Sequence, residues 1–514
     1  MATPRPSVPK RLAGEVPATL AHVDAAEWTE AARVVHDAGG RLVALWGADR
    51  RPQEDAFSIF AAYATAEGLA VVDLAVPAAS PAYPDLSGLF APAGRMQRAL
   101  RDLLGAEADG AEDARPWLRH GAWDEGEFPL RRDFDPAAPR AGRLEPYPFV
   151  RVEGDGVHEI PVGPIHAGII EPGHFRFSIV GEKVLRLEER LGYTHKGVDR
   201  RFGDFSVAEG YRLAGRCSGD STVAYAWAYA QAAESVLAVV VPPRARWLRA
   251  LMLEGERIAN HLGDLGALGN DAAFALALAQ FSRLREDWLR AAGEIFGHRL
   301  MMDAVVPGGT ACDPGERHVR SMAALADAVE REARELRDIF DEHSGLQDRF
   351  IGTGRVRPEL ARALGLVGLA ARASGQALDL RVDFPAEPYG ALAVRKCVSG
   401  AGDVAARVRV RFEELFESLR LVRAIVDGMP PGEVRVDLPE AAPGAFGVGW
   451  VEGWRGEVLV AIEAGEGGRI RRAHAHDPSW QNWPLIEHAI MGNIVPDFPL
   501  INKSFNLSYS GADG

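Results

Sequence analysis

The sequence predicts an α+β protein: a small α+β N-terminal domain, then a large, mainly helical domain with strands at both of its ends. Three observations carry this expectation. A chain of 514 residues exceeds what a single core usually serves, so two domains are expected. The first quarter of the chain alternates helical and strand patterns, whereas the rest carries five long stretches with apolar residues at helical spacing. Apolar residues at 47% and charged residues at 25% are ordinary globular values, enough for a large core.

Residues 1–20 are Pro-rich, read as a flexible start, and lack the apolar run of a secretory signal. The small domain is placed at 21–143. Within it, helical spacing at 28–38 precedes a short apolar strand at 41–47. A helix is predicted at 54–66, a strand at 69–76, and a helix at 96–104 after a Pro-rich turn. The Pro/Ala/Gly/Arg-rich stretch 135–143 reads as a linker, so the large domain spans 144–514. That domain opens with a hairpin at 175–186, turning at Gly181-Glu182. Long helical patterns follow at 206–234, 246–268, 274–295, 316–343 and 404–426, and strands at 449–462 and 469–474 flank a turn at 465–468.

A net charge of −14 with no basic domain argues against a nucleic-acid protein. Cys217, Cys312 and Cys397 are isolated, with no CxxC pair, so neither a disulfide framework nor a cluster or zinc site of usual spacing is expected. No apolar run approaches the roughly 18 residues needed to cross a bilayer; the chain is expected to be soluble, or held at a membrane by partners.

Several segments then resemble one family. GPIH at 163–166 and GYTHKG at 192–197 are similar to the opening of the catalytic subunit of group 4 nickel–iron hydrogenases and, more distantly, of the large quinone-site (49 kDa) subunit of complex I. ERIANH at 256–261, GHR at 297–299, PGG at 307–309, ARASG at 371–375, DLR at 379–381 and EGWRGE at 452–457 continue the resemblance in order. YPDL at 83–86, RDLLG at 101–105 and FPLRRDF at 128–134 resemble the complex I 30 kDa subunit, fused here in front of the large one.

The resemblance implies two CxxC pairs holding nickel and iron, because soft thiolates favour these metals in low oxidation states. In this chain the early pair is matched by Ser218 and Ser221, and the late pair is placed at Ser479 and Asn482. Hydroxyl and amide groups are hard, weak ligands, and Cys217 is one residue out of register, so no nickel–iron centre and no other cofactor is expected in this chain. Complex I uses the corresponding cavity for a quinone, but its quinone-binding tyrosine is matched by Gly219, and 167–174 follows the hydrogenase version of the loop.

The candidate site residues are His166, Glu171 and His174, which either line the old cavity and move protons or fix a tight turn, together with Arg372 and Asp379. Arg372, Asp379 and Arg381 are expected to pair with one another or with the cavity loops. Glu254, Arg257, His261 and Asp264 form a polar stripe on one helix, beside an apolar stripe of Leu251, Ile258, Leu262 and Leu265. A polar stripe usually faces solvent; the family resemblance places the helix inside. His195 reads as structural, His474 and His476 as surface histidines, and the tail 498–514 as a packed strand or loop similar to those of metal-free relatives of hydrogenases.

The function expected is an electron-transfer or coupling subunit of a membrane-bound, complex I-like oxidoreductase linked to ion translocation. It would sit peripherally on the cytoplasmic side of the plasma membrane. The resemblance implies a small partner subunit with a 4Fe-4S cluster and antiporter-like membrane subunits. A non-catalytic scaffold, an active hydrogenase with unusual ligands and a quinone-reducing NADH dehydrogenase-type subunit stay open as alternatives.

Overall fold

The computed structural model describes residues 8–51, 53–143 and 145–514. Position 144, the expected start of the large domain, lies outside them.

The N-terminal part is built on a five-stranded sheet: β1 (Lys10–Arg11), β2 (Ala18–Val23), β3 (Arg41–Asp49), β4 (Ala56–Thr65) and β5 (Gly68–Pro77), in the order β1-β2-β5-β4-β3. Only the β2–β5 pairing is parallel; the others are antiparallel. Of the start expected to be flexible, residues 1–7 lie outside the described residues; beyond them β1 pairs with β2, and Leu12 and Val16 are buried. Helix α1 (Ala25–Asp37) opens on a capping box, Asp24 accepting from the Glu27 backbone while Glu27 reaches back to the Asp24 N–H. Helix α2 is Ala93–Leu104.

The predicted helix at 54–66 is instead strand β4. As a central strand it is buried on both faces, and such strands lose the alternation that marks a half-buried one. On one face Phe57, Ile59 and Tyr63 pack with Trp28, Phe90 and Leu100; on the other Phe60 joins Trp46 and Val71 against Val448, Trp450 and Leu459 of the C-terminal region. The N-terminal sheet therefore shares its core with the large part of the molecule. Polar clamps cross the same junction: Arg41 to Glu457, Arg50 to Glu463 at 2.9 Å, and Arg472 Nε to the Gly47 carbonyl at 2.7 Å.

The large part opens with strands β6 (Val157–Val162), β7 (His174–Val180) and β8 (Lys183–Arg190), ordered β8-β7-β6. The expected hairpin is β7–β8. Four long helices follow the predicted pattern closely: α4 (Pro243–Asp271), α5 (Ala275–Phe296), α6 (Glu316–Glu342) and α7 (Val404–Gly428). The fifth, predicted at 206–234, is broken: a single turn at Tyr211–Ala214 gives way to an irregular stretch, and helix α3 begins only at Thr222, ending at Leu237.

The C-terminal sheet is β9 (Phe446–Glu452), β10 (Glu457–Ala464) and β11 (Ile470–His476). The single strand predicted at 449–462 is thus two, reversing through Gly453 and Gly456, the latter at φ 144°. β9 lies directly on α3, and glycine permits the approach: a Cβ at Gly449 would sit 1.8 Å from the Ala228 carbonyl. The tail is helical rather than strand or loop, with α8 (Ser479–Ala489), α9 (Phe498–Phe505) and α10 (Tyr509–Asp513). No described helix is long and apolar enough to cross a membrane.

Candidate functional site

The stretch that breaks the predicted helix at 206–234 turns Ser218 and Ser221 inward; both are buried. Ser218 Oγ lies 2.8 Å from Ser508 Oγ at the start of α10 and 2.9 Å from Asp220 Oδ1. Asp220 is held by Arg455, from the β9–β10 turn, through two contacts of 2.7 and 2.6 Å. Burial opposes charge on Asp220, yet the Arg455 guanidinium holds its carboxyl below the usual range. Arg455 also reaches Ser221 Oγ at 3.3 Å and donates to the Asn506 carbonyl.

The second pair placed from sequence does not face the first directly. Ser479 stands one bond behind, its Oγ accepting the Ser508 N–H at 2.9 Å. Asn482 is spent on the Val367 backbone, accepting from its N–H at 3.0 Å and donating to its carbonyl at 3.1 Å. The residue that meets Ser218 is Ser508, and Gly511, three further on, donates its N–H to Ser508 Oγ at 2.9 Å. A Cβ at Gly511 would lie 2.3 Å from Asp477 Oδ2, so that carboxylate fills the space of a side chain there. Asp477 is fixed in turn by the Tyr225 hydroxyl at 2.7 Å and the Ser479 N–H at 2.8 Å. Sequence analysis did not single out Ser508 or Gly511, whose spacing repeats that of Ser218 and Ser221.

The loop carrying His166 and Glu171 packs against the same tail. His166 Nε2 is 3.2 Å from the Tyr509 hydroxyl, and Glu171 accepts the Ser510 N–H at 3.0 Å. Burial lowers the His166 pKa. His174 is separate: it opens β7, its Nδ1 lies 3.3 Å from the Gly163 carbonyl, and burial lowers its pKa too.

Arg372 and Asp379 belong to another cluster, built where α4 and α7 meet β9. The polar stripe of α4 is entirely interior, as the resemblance implied and the usual solvent rule did not: Glu254, Arg257, His261 and Asp264 are all buried. Arg372 bridges Glu414 at 2.6 Å and Glu452 at 2.8 Å, with Asp379 at 3.9 Å. Arg381 joins Asp379 at 2.7 Å and Glu254 at 3.2 Å, and the Tyr389 and Ser418 hydroxyls also donate to Glu254. His261 Nε2 is 3.1 Å from Glu414. Sequence analysis did not single out Glu414; no spacing on its own helix reveals that its partners come from two other segments.

Burial would raise the carboxylates of this cluster, but the guanidinium groups hold Asp379 at about 2 and Glu414 well below its ordinary range. Glu452 goes the other way, raised by burial. His261 is lowered by burial. Four carboxylates, Glu254, Asp379, Glu414 and Glu452, thus face three guanidinium groups, those of Arg257, Arg372 and Arg381. The charge mismatch favours one proton in the cluster, and Glu452, whose pKa burial raises, is its natural holder. The edge of Trp454, whose Nε1 donates to the Asp220 carbonyl at 2.9 Å, meets the His261 ring and links this cluster to the Ser218–Ser508 site.

The histidines of β11 are not surface residues. His476 is buried against Gln481, and His474 pairs with Asp199 at 2.8 Å while stacking on Trp46. His195 is structural as expected, its Nδ1 2.7 Å from the Asp513 carbonyl.

Comparison with known proteins places this architecture. Residues 268–445 match the model of the respiratory-chain NADH dehydrogenase 49 kDa subunit, and 21–140 match that of the 30 kDa subunit. Hydrogenase-4 component G of Escherichia coli (strain K12) is 30% identical over 93% of this chain and 84% of its own length. Formate hydrogenlyase subunit 5 of the same organism is 30% identical over 92% of this chain and 85% of its own length. The chain belongs to the family of complex I 49 kDa subunits and membrane-bound hydrogenase large subunits, with a 30 kDa-type region fused in front. In fold, this large-subunit family member also resembles a chain of an archaeal membrane-bound sulfane sulfur reductase, with a TM-score of 0.66 over 70% of this chain and 99% of the other, at 24% identity.

Around Ser218 the donors are the paired Ser218 and Ser508 hydroxyls and the Asp220 carboxylate held by Arg455, while Asp477 fills the side-chain space at Gly511. None is a soft thiolate. Cys217 is buried and pushed well above its ordinary range by burial, so it is not a ready thiolate.

Proposed function

We propose that this chain is the electron-transfer and coupling subunit of a membrane-bound, complex I-like oxidoreductase, working without a nickel–iron centre. The observation that carries the reading is the closed Ser218–Asp220–Arg455–Ser508 arrangement, in which protein groups satisfy one another where the family resemblance implies metal ligands. Family membership supports the rest: the relatives include subunits named for formate hydrogenlyase and hydrogenase-4. On this reading a small subunit with a 4Fe-4S cluster docks near Ser218 and supplies electrons. Antiporter-like membrane subunits receive the coupling signal, and the chain is held peripherally on the cytoplasmic side of the plasma membrane.

This chain's own contribution is proton handling and positioning. His166, against Tyr509, and Glu452, in the buried cluster around Arg372, are the groups assigned to this role. A change of charge near Ser218 reaches the interior through Arg455 and Trp454, and Glu452 can take or release a proton while Arg372 keeps hold of Glu414.

The test is elemental analysis and hydrogen uptake on the complex purified with its partners. Iron at cluster level, no nickel and no hydrogen turnover are expected; stoichiometric nickel with hydrogen turnover would overturn the reading. Electron flux after Arg372→Lys in the intact complex then separates coupling from scaffolding, since a scaffold keeps its flux.

A further inference from the structure

A cleft of about 600 Å³ lies away from the Ser218–Ser508 site, between the connecting stretch at 145–149 and strands β7 and β8. Its volume falls within the range of small-molecule sites. Tyr147, Phe149, Trp123 and Tyr193 supply aromatic surface to its walls. Its charge is set by Arg190, only 3% exposed, whose guanidinium lies 4.3 Å from the centre of the Tyr147 ring.

Arg190 differs from most buried arginines of this protein. Arg249, Arg372, Arg381, Arg411 and Arg455 each have a carboxylate within 4 Å. Among the described residues Arg190 has none, and its one hydrogen bond to them goes to the Pro116 carbonyl. The other charges on the walls are already met: Arg176 by Glu159 at 3.0 Å, and Glu145 by Arg119. Of the three histidines there, burial brings His120 down to about 4 and lowers His174, and His195 is engaged by the Asp513 carbonyl at 2.7 Å. One uncompensated cation therefore stands in a half-enclosed, aromatic-walled space, and burying a charge without a counter-charge is costly.

We infer that this cleft is a binding site for an organic anion carrying an aromatic or conjugated ring, with its carboxylate or phosphate on Arg190 and its ring against Tyr147, Phe149 and Tyr193. A guanidinium presents a planar fork that suits either anionic group. The ring faces add stacking surface, which a bare inorganic anion cannot use.

The test is calorimetric titration of the full-length chain with 2-naphthoate, its neutral analogue 2-naphthamide and inorganic phosphate. Saturable 1:1 binding of 2-naphthoate is expected, about tenfold or more tighter than that of either of the other two. Arg190→Gln should erase the preference for acid over amide, and Tyr193→Ala, at the exposed rim, should weaken both ring compounds while leaving the preference. Circular dichroism confirms that each variant is folded. If Arg190→Gln does not fold, the acid-to-amide ratio on the native chain and the Tyr193→Ala result decide. No saturable binding of 2-naphthoate, equal binding of acid and amide, phosphate binding as tight as naphthoate, or an undiminished preference in folded Arg190→Gln would each overturn the site.

Discussion

Arg455 grips Asp220 through two contacts of 2.7 and 2.6 Å, tying the β9–β10 turn to the loop that carries Ser218 and Ser221. The pair joins segments more than two hundred residues apart and closes the space between them. Arg455 is buried and Asp220 partly exposed, so solvent screens one side of the bond.

Arg455→Ala should therefore cost about 2 kcal/mol, below the ~3–5 kcal/mol seen when a fully buried pair loses one partner. Asp220→Asn, which keeps an acceptor for the guanidinium, should cost less. Urea unfolding midpoints of the two variants check the order.

Gly511→Ala tests how the site is filled. Alanine within a helix is ordinarily favoured over glycine by about 1 kcal/mol. Here its methyl group would lie 2.3 Å from Asp477 Oδ2, so the substitution should instead destabilise by about 1–3 kcal/mol. Thermal unfolding of G511A gives the sign directly. A fourfold cysteine variant at 218, 221, 508 and 511 should for the same reason fail to take up nickel.

Arg372 is the hub of the buried cluster. Arg372→Leu strands Glu414 and Glu452 and should cost about 3–5 kcal/mol. Arg372→Lys keeps the charge but cannot bridge both carboxylates, and should fold while lowering electron flux in the assembled complex by about tenfold.

Asp379 ties this cluster to pH. Its carboxyl is lowered from 3.8 to about 2, so its contribution to stability is complete above pH 3.8 and is lost as the pH falls towards 2. The stability gap between the native chain and Asp379→Asn should shrink across that window. Unfolding titrations at stepwise lower pH measure the gap.

At the domain junction, Arg41→Ala and Glu457→Ala should be coupled by about 1–3 kcal/mol, because each leaves the other's charge at the sheet–sheet contact. A double-mutant cycle measures it.

Sequence by itself determined the fold class, the long helices α4 to α7, the β7–β8 hairpin and the family, because apolar periodicity and ordered short motifs are local signals. It also supplied most of the charged cluster around Arg372 by name: Arg372 itself, Asp379, Arg381 and the α4 stripe. Tertiary structure alone decided what they face. Strand β4 lost its alternation because both of its faces are covered, and the helix predicted at 206–234 broke where Ser218 turns inward towards the tail. Glu414 and Glu452, which complete the charged cluster, and Ser508, Gly511 and Asp477, which close the site opposite Ser218, come from segments far apart along the chain. Their meeting depends on long-range packing, which no local spacing encodes: the same polar stripe reads as a solvated face until other helices cover it and make every charge find a partner.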